Sequence, residues 1–150
     1  MAYSTTDLRN IALVGPAGAG KTLLAEALLA ASGAIRAKGS LARGTTVCDF
    51  DPQEKALQHS LDAALVHFEL DGCRINLIDT PGTADFVGRS LAMLEAVETA
   101  AIVVSAVTGL EPVTQRMMEF ARDRELCRLV IVNKIDARDA DPERVLAELR

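Results

Sequence analysis

Residues Gly15-Pro16-Ala17-Gly18-Ala19-Gly20-Lys21-Thr22 match the pattern G-x-x-x-x-G-K-[ST] at every fixed position. This stretch narrows the possible folds more than any other, because the pattern works only as the turn between a buried strand and a helix. Both flanks are present. The apolar run Ile11-Ala12-Leu13-Val14 precedes it and Leu23-Leu24-Ala25-Glu26-Ala27-Leu28-Leu29 follows it. Glycines let the backbone wrap closely around a polyphosphate, so that successive N–H groups point at the anion. The helix beginning near Gly20 adds the positive end of its dipole. In such a loop Gly15 to Thr22 cradle phosphates, Lys21 reaches the β- and γ-phosphates, and the Thr22 hydroxyl holds Mg²⁺.

The rest of the chain alternates strand and helix. Strands are predicted at Asn10–Val14, Ala64–Leu70, Arg74–Asp79, Ala100–Ala106 and Arg128–Asn133, and helices at Gly20–Ser32, about Phe86–Glu98, and Val113–Glu125. Leu65 to Leu70, then Asp71-Gly72, then Cys73 to Ile78 reads as a hairpin, because Asp-Gly is a strong two-residue turn signal. The later runs Ala101-Ile102-Val103-Val104 and Leu129-Val130-Ile131-Val132 suit parallel strands covered on both faces by helices. The expected fold is α/β: a doubly wound, mostly parallel sheet of the P-loop NTPase type, with one antiparallel strand at an edge.

Two segments stand apart. Gly33 to about Ser60 has no sustained period, and an irregular stretch of that length inside a compact domain is expected to be functional or disordered. Asp141-Pro142-Glu143-Arg144 opens a helix, with Asp at N-cap and Pro at N1. Its apolar positions are Val145, Leu146 and Leu149, and no C-cap precedes Arg150. The expectation is that residues 1–150 are the N-terminal piece of a longer protein, a nucleotide-binding domain without its last strand and helix.

The chain of 150 residues, 49% apolar and 25% charged, is one domain's worth and can bury a core. Its net charge of −5 argues against nonspecific nucleic-acid binding by this domain, and no sequence-specific nucleic-acid contact is expected. Cys48, Cys73 and Cys127 are an odd number, widely spaced, which excludes a disulfide framework and fits a reducing cytoplasm. The polar start Tyr3-Ser4-Thr5-Thr6-Asp7 has no signal-peptide character, and no run reaches membrane-spanning length. A cytoplasmic monomer with no membrane partner is expected.

Asp79-Thr80-Pro81-Gly82 follows the strand Ile75-Asn76-Leu77-Ile78. Alone it would be an ordinary turn. Beside a phosphate loop, Asp79 can organise Mg²⁺, and Gly82 can offer an amide near the γ-phosphate. Asn133-Lys134-Ile135-Asp136 follows the last strand. A carboxylate at Asp136 can accept from guanine N1–H and the N2 amine, whereas adenine offers neither donor on that edge and would leave it unpaired. Asn133 can bond the base edge and the loop backbone, and the Lys134 stem can lie along the base plane. N-K-x-D alone is a weak pattern. It gains weight as the third segment at a strand's C-terminal end, where open α/β sheets bind ligands.

Together these segments resemble the GTP-binding domain of translational GTPases. The resemblance is closest to elongation factor G and, within that group, to the elongation-factor-G-like proteins of bacteria. It runs from about Asn10 to Asp136. It also rests on Gly33-Ala34-Ile35, Gly44-Thr45-Thr46-Val47-Cys48-Asp49-Phe50, Asp85-Phe86 and the stretch from Ser105 to Gln115. It implies binding of GTP and GDP with Mg²⁺, a change of shape on hydrolysis, and action on the ribosome.

Two departures from the family pattern bear on catalysis. The family reads D-T-P-G-H, with the histidine positioning the attacking water, and Thr83 stands there in this chain. With Lys21 and Gly82, Thr83 makes up the candidate catalytic set, and it lacks the charge and reach of an imidazole. The first mobile loop of the family carries R-G-I-T, whose threonine completes the Mg²⁺ shell. That register is read here as Lys55-Ala56-Leu57-Gln58, with Ser60 as the nearest hydroxyl, so the candidate metal set is Thr22, Asp79 and Ser60. The expected activity is Mg²⁺-dependent GTP binding with slow or partner-dependent hydrolysis. Two alternatives remain open: a GTP-sensing module without turnover, and a fragment that binds nucleotide weakly.

Other residues have plainer readings. His59 and His67 are read as solvated or edge-strand positions, and Cys48 as exposed in the long loop. Met117-Met118 are read as core, and Arg122 to Glu125 as a solvated helix end.

Overall fold

The structure is a computed structural model that describes residues 3–57 and 59–150. Its five-stranded sheet contains β1 (Leu8–Val14), β2 (Ala64–Leu70), β3 (Cys73–Asp79), β4 (Thr99–Ser105) and β5 (Cys127–Asn133), in the order β2-β3-β1-β4-β5. β1 runs parallel to β3 and β4, and β4 parallel to β5. β2 pairs antiparallel with β3 at one edge. The hairpin turn has Asp71 at φ 49° and Gly72 at φ 80°, the pair of positive values that a two-residue Asp-Gly turn requires.

Side chains alternate across the sheet and both faces are buried at its centre. Leu13, Leu77, Ala101 and Val103 point to one face and pack with Ala25 and Leu29 of α1 (Lys21–Ala31). Ala12, Val14, Ile78, Ala100, Ile102 and Val104 point to the other. There they meet Val87 and Leu94 of α3 (Val87–Leu94), Met117 and Ala121 of α4 (Pro112–Asp123), and Val145 of α5 (Pro142–Glu148). The crossover after β1 therefore covers one face and those after β3 and β4 the other. The winding reverses between β1 and β4, and this is where ligands sit in such sheets, beyond the strands' C-terminal ends.

Several expectations need correction. The segment between Gly33 and Ser60 is not featureless. It contains a 3-10 turn at Leu41–Arg43 and α2 (Pro52–Leu57). α2 starts with a reciprocal cap: Asp51 Oδ1 accepts from the Gln53 amide at 2.7 Å, and Glu54 Oε2 accepts from the Asp51 amide at 3.2 Å. α3 is shorter than predicted and stops at Leu94. The chain is drawn off towards β4 at Glu98, whose carboxylate accepts from the Asn10 amide at 2.6 Å. β5 is an edge strand. Leu129 is 51% exposed, so its apolar run is not covered on both faces. Of the three apolar positions in α5, Val145 is fully buried and Leu149 packs on the core, while Leu146 is exposed.

Cys48 is buried and not exposed. Burial pushes its thiol far above the ordinary range, helped by the nearby carboxylates of Asp79, Glu26, Asp49 and Glu54. Its burial follows from how the long segment is anchored. Glu26 on α1 is 1% exposed, and its two carboxylate oxygens accept from the Gly39 amide at 2.6 Å and the Val47 amide at 2.5 Å. Glu54, also buried, accepts from the Leu61 amide at 2.9 Å and the Asp62 amide at 3.2 Å. Met117 lies in the core and Arg122 to Glu125 are solvent-exposed, as read from the sequence.

Glu26→Gln keeps the shape but turns an N–H donor against one of the two loop amides. It is expected to lower stability by about 1–3 kcal/mol, as for a buried polar group left unpaired. Hydrogen exchange should speed up at Gly39 and Val47; unchanged protection at both would show that the carboxylate does not hold the loop.

Candidate functional site

The phosphate loop joins β1 to α1. Gly15, Gly18 and Gly20 all have positive φ, and Gly20, at φ 96°, is the N-cap of α1. A Cβ on Gly20 would lie 2.5 Å from Asn133 Nδ2, so only glycine fits both the backbone angle and the packing. The Asn133 amide in turn donates to the Ala19 carbonyl at 2.9 Å. Asn133 stands at the end of β5, where its own carbonyl accepts from the Ala106 amide at 2.8 Å. One side chain thus fastens the Asn133–Asp136 segment to the phosphate loop.

The Asp79–Gly82 segment is fastened as firmly. Thr80, fully buried, donates its hydroxyl to the Leu13 carbonyl at 2.7 Å, and Ser90 of α3 donates to the Pro81 carbonyl at 2.7 Å. The Ala17 amide donates to the Gly82 carbonyl at 2.9 Å. A Cβ on Gly82 would collide with Lys21 Nζ and the Ala17 nitrogen, so this position has to be glycine. Sequence reasoning assigned no role to Thr80 or Ser90. Thr80 lay within the D-x-x-G motif, and nothing in the sequence around Ser90 marks it.

Lys21 is buried, and its ammonium donates to the Gly15 and Pro16 carbonyls at 2.9 Å each. Burial brings its pKa down to about 8, opposed by the charges of Asp79 and Glu111. Asp79 is 1% exposed. Its Oδ2 accepts from the Thr22 hydroxyl at 2.6 Å, and its Oδ1 is buried with no hydrogen-bond partner among the described residues. Burial raises the Asp79 pKa to about 6. The Thr22 hydrogen bond and Lys21 act against the rise, and the carboxylates of Asp49 and Glu54 add to it. Lysine and aspartate are both held in a setting that disfavours their charge, and an anion beside one and a cation beside the other would relieve both.

Ser60 approaches this cluster from the long loop. Its hydroxyl lies 3.5 Å from that of Thr22 and donates to Asp49 Oδ1 at 2.8 Å, while Thr46 donates to Asp49 Oδ2 at 3.0 Å. Thr22, Asp79 and Ser60 are therefore brought together. Gln58 lies outside the described residues. Thr83 lines the same cleft, and its hydroxyl is buried without a partner among the described residues. His59, half-buried, also lines this cleft, and His67 lies exposed on edge strand β2 as expected. Lys134, at φ 60°, borders the cleft, and Asp136 is exposed in the turn that follows β5.

The sequence model of the elongation factor Tu GTP binding domain matches residues 6–150. The chain belongs to this family. Over 129 residues it is 43% identical to an elongation factor G-like protein of Mycobacterium tuberculosis (strain ATCC 25618 / H37Rv), an alignment covering 86% of this chain and 18% of that protein. It is 37% identical over 145 residues to elongation factor G 2 of Streptomyces coelicolor, covering 97% of this chain and 21% of that factor. A crystal structure of a Thermus thermophilus protein superposes with a TM-score of 0.90 at 39% identity, covering 95% of this chain and 21% of that one. The chain spans about a fifth of the length of the curated relatives it matches. The resemblance read from the three motifs and the α/β architecture read from the strand pattern are both borne out. Among the described residues no helix is long and apolar enough to cross a membrane.

The raised Asp79 pKa gives a pH prediction. Its carboxyl titrates at 3.8 when unperturbed and at about 6 in the fold. The folded protein therefore holds an extra proton between those values, and stability falls as pH rises through that window, by up to about 3 kcal/mol. Asp79→Asn should remove this component. Urea unfolding at about pH 4 and about pH 7.5, in chelator and without nucleotide, should show a smaller pH difference in the variant. Identical pH dependence in the two proteins would mean that Asp79 titrates as an exposed aspartate.

Proposed function

We propose that this chain binds GTP and GDP with Mg²⁺ as the GTP-binding domain of an elongation-factor-G-like translational GTPase, and that it hydrolyses GTP slowly or with the help of a partner. The observation that carries this reading is the Asn133–Ala19 hydrogen bond at 2.9 Å, which holds a base-reading segment against a phosphate loop. In this reading Gly15, Pro16, Ala17, Gly18, Ala19, Gly20 and Lys21 hold the phosphates by backbone amides and one ammonium. Asn133, Lys134 and Asp136 select guanine through its N1–H and N2 donors.

The residues at the other end of the cleft suit Mg²⁺. Thr22, Asp79 and Ser60 present two hydroxyls and a buried carboxylate with one oxygen unpartnered among the described residues, which is the hard-oxygen set this ion prefers. When bound, Mg²⁺ would neutralise charge on the β- and γ-phosphates. Lys21 would exchange its bonds to the Gly15 and Pro16 carbonyls for phosphate oxygens, and Gly82 and Thr83, which also line the cleft, would offer their amides to the γ-phosphate. The ribosome is the proposed partner, by analogy with the elongation factors this chain resembles.

Titration with fluorescent GTP against unlabelled ATP tests the nucleotide. GTP should bind at least about a hundredfold more tightly, and Asp136→Ala should remove most of that preference by deleting the acceptor that adenine cannot satisfy. Equal affinity of the parent chain for both nucleotides would sink the reading. A second measurement is thermal: GTP with Mg²⁺ should raise the unfolding midpoint in a concentration-dependent way, since a ligand selective for the folded form must do so.

A further inference from the structure

We propose that the outer face of the long segment between α1 and β2 is a contact surface for single-stranded RNA, with Lys38, Arg43 and Lys55 meeting phosphates and Phe50 stacking on an unpaired base. The proposal goes beyond the nucleotide reading above and does not depend on it, since it uses none of the residues assigned to GTP or Mg²⁺.

The net charge of −5 is an average that hides a local segregation. Between residues 33 and 60 lie the cations Arg36, Lys38, Arg43 and Lys55 and the carboxylates Asp49, Asp51 and Glu54. Asp49 and Glu54 are buried, one accepting from the Thr46 and Ser60 hydroxyls and the other from the Leu61 and Asp62 amides. Asp51 caps α2 through the Gln53 amide. The four cations are exposed, and none forms an ion pair among the described residues. The segment's acids are thus engaged by their own chain while its bases are left to solvent, which puts a positive surface on an acidic protein. Three of these bases surround one turn. The Ser40 amide donates to Thr45 Oγ1 at 3.0 Å and the Thr45 amide to the Ser40 carbonyl at 3.1 Å, closing the turn that contains Arg43. A Cβ on Gly39 would collide with the Thr45 carbonyl, so the stretch that follows Lys38 packs directly against this turn. The Lys55 stem lies against Gly44, with its Cγ 3.2 Å from where a Cβ would stand there.

Phe50 supplies the second half of the surface. It is 66% exposed and directly precedes Asp51, whose carbonyl accepts from the Lys55 amide at 3.1 Å one helical turn on. The chain's other aromatic rings are covered. Phe68 is buried, and Arg74, Arg89 and Arg124 lie over Tyr3, Phe86 and Phe120 at 5.6, 5.4 and 4.8 Å from the ring centroids. Among the described residues Phe50 alone has neither kind of cover. A nucleotide unit matches both halves, because it brings a phosphate for the cations and a flat base for the ring. An acidic peptide would satisfy the cations and leave the ring in water. A membrane surface calls for a longer apolar helix face than the six residues of α2 can present. A duplex keeps its bases stacked on one another and withholds them from Phe50.

The test is fluorescence anisotropy of the chain with a labelled oligouridylate of about twelve nucleotides, at several salt concentrations and without guanine nucleotide. The single strand should bind with a Kd of about 1–100 µM at low salt, and about tenfold or more tightly than a duplex of the same length. Arg43→Ala combined with Lys55→Ala should weaken binding about tenfold or more. It should also flatten the slope of log affinity against log salt by about 1.4, since each phosphate contact on a single strand contributes about 0.7. Phe50→Ala should weaken binding about fivefold to a hundredfold with the salt slope unchanged, and Phe50→Trp should retain the parent affinity. Arg116→Ala, an exposed position on α4 across the sheet, should bind like the parent. All of these side chains are exposed, so each variant should keep the parent's unfolding midpoint. Absence of binding at about 100 µM chain and about 50 mM salt would overturn the proposal. So would equal affinity for the duplex, indifference to Phe50→Ala, or tighter binding to polyglutamate or to phosphatidylserine vesicles than to the oligonucleotide. With no guanine nucleotide in the titration, its outcome is separate from that of the GTP reading.

Discussion

The phosphate loop can keep its shape only because a carbonyl and a side-chain amide from two other strand ends meet it at hydrogen-bonding distance. Ala17 donates to the Gly82 carbonyl and Asn133 donates to the Ala19 carbonyl, both at 2.9 Å. A glycine-rich turn of this kind has little intrinsic preference for one conformation. Here it is determined from outside, by β3 through Thr80 and Gly82 and by β5 through Asn133. The parallel register of β3, β1, β4 and β5 makes this possible, since it brings four C-terminal strand ends to one edge. The sheet thus acts as a positioning device, and the contacts that define the site are contacts between loops that no single loop could make alone.

That arrangement has an electrostatic cost. Lys21 and Asp79 are both more than nine-tenths buried, and each is shifted towards its neutral form. Their mutual attraction does not cancel the loss of hydration, which is the ordinary outcome for buried ions. The protein therefore carries two charged groups in a disfavoured setting at the place where a polyanion and a divalent cation would belong. Stability is lower at that point so that binding can be stronger.

Most of this was legible in the sequence, and the exceptions share a cause. The hairpin was readable because Asp71-Gly72 needs two positive φ values, and the phosphate loop because its motif lies between an apolar strand and an apolar helix. α2 was missed although Asp51, Pro52 and Glu54 spell out a cap, because six residues are too few to show a helical period. Cys48 was misplaced because its environment is made by Glu26 and Asp49, partners distant in the chain or in an irregular stretch. The apolar run of β5 looked like a central strand. Periodicity reports which residues avoid water and does not report the strand's place in the sheet order. Ser60 was picked out as the nearest hydroxyl, and the structure sets it beside Thr22, although the register read around it pointed to Gln58.

Thr22 and Glu26 are one helical turn apart on α1 and lie on the same side of it. Thr22 meets the long loop near its end, at Ser60, through a 3.5 Å approach between hydroxyls. Glu26 grips the same loop at Gly39 and Val47 through two short bonds to a buried carboxylate. One helix turn thus meets the loop twice, by a buried carboxylate at Gly39 and Val47 and by a hydroxyl approach at Ser60, while Glu54 ties the stretch that follows at Leu61 and Asp62. A shift of that single turn would therefore be felt at two distant points of the loop at once.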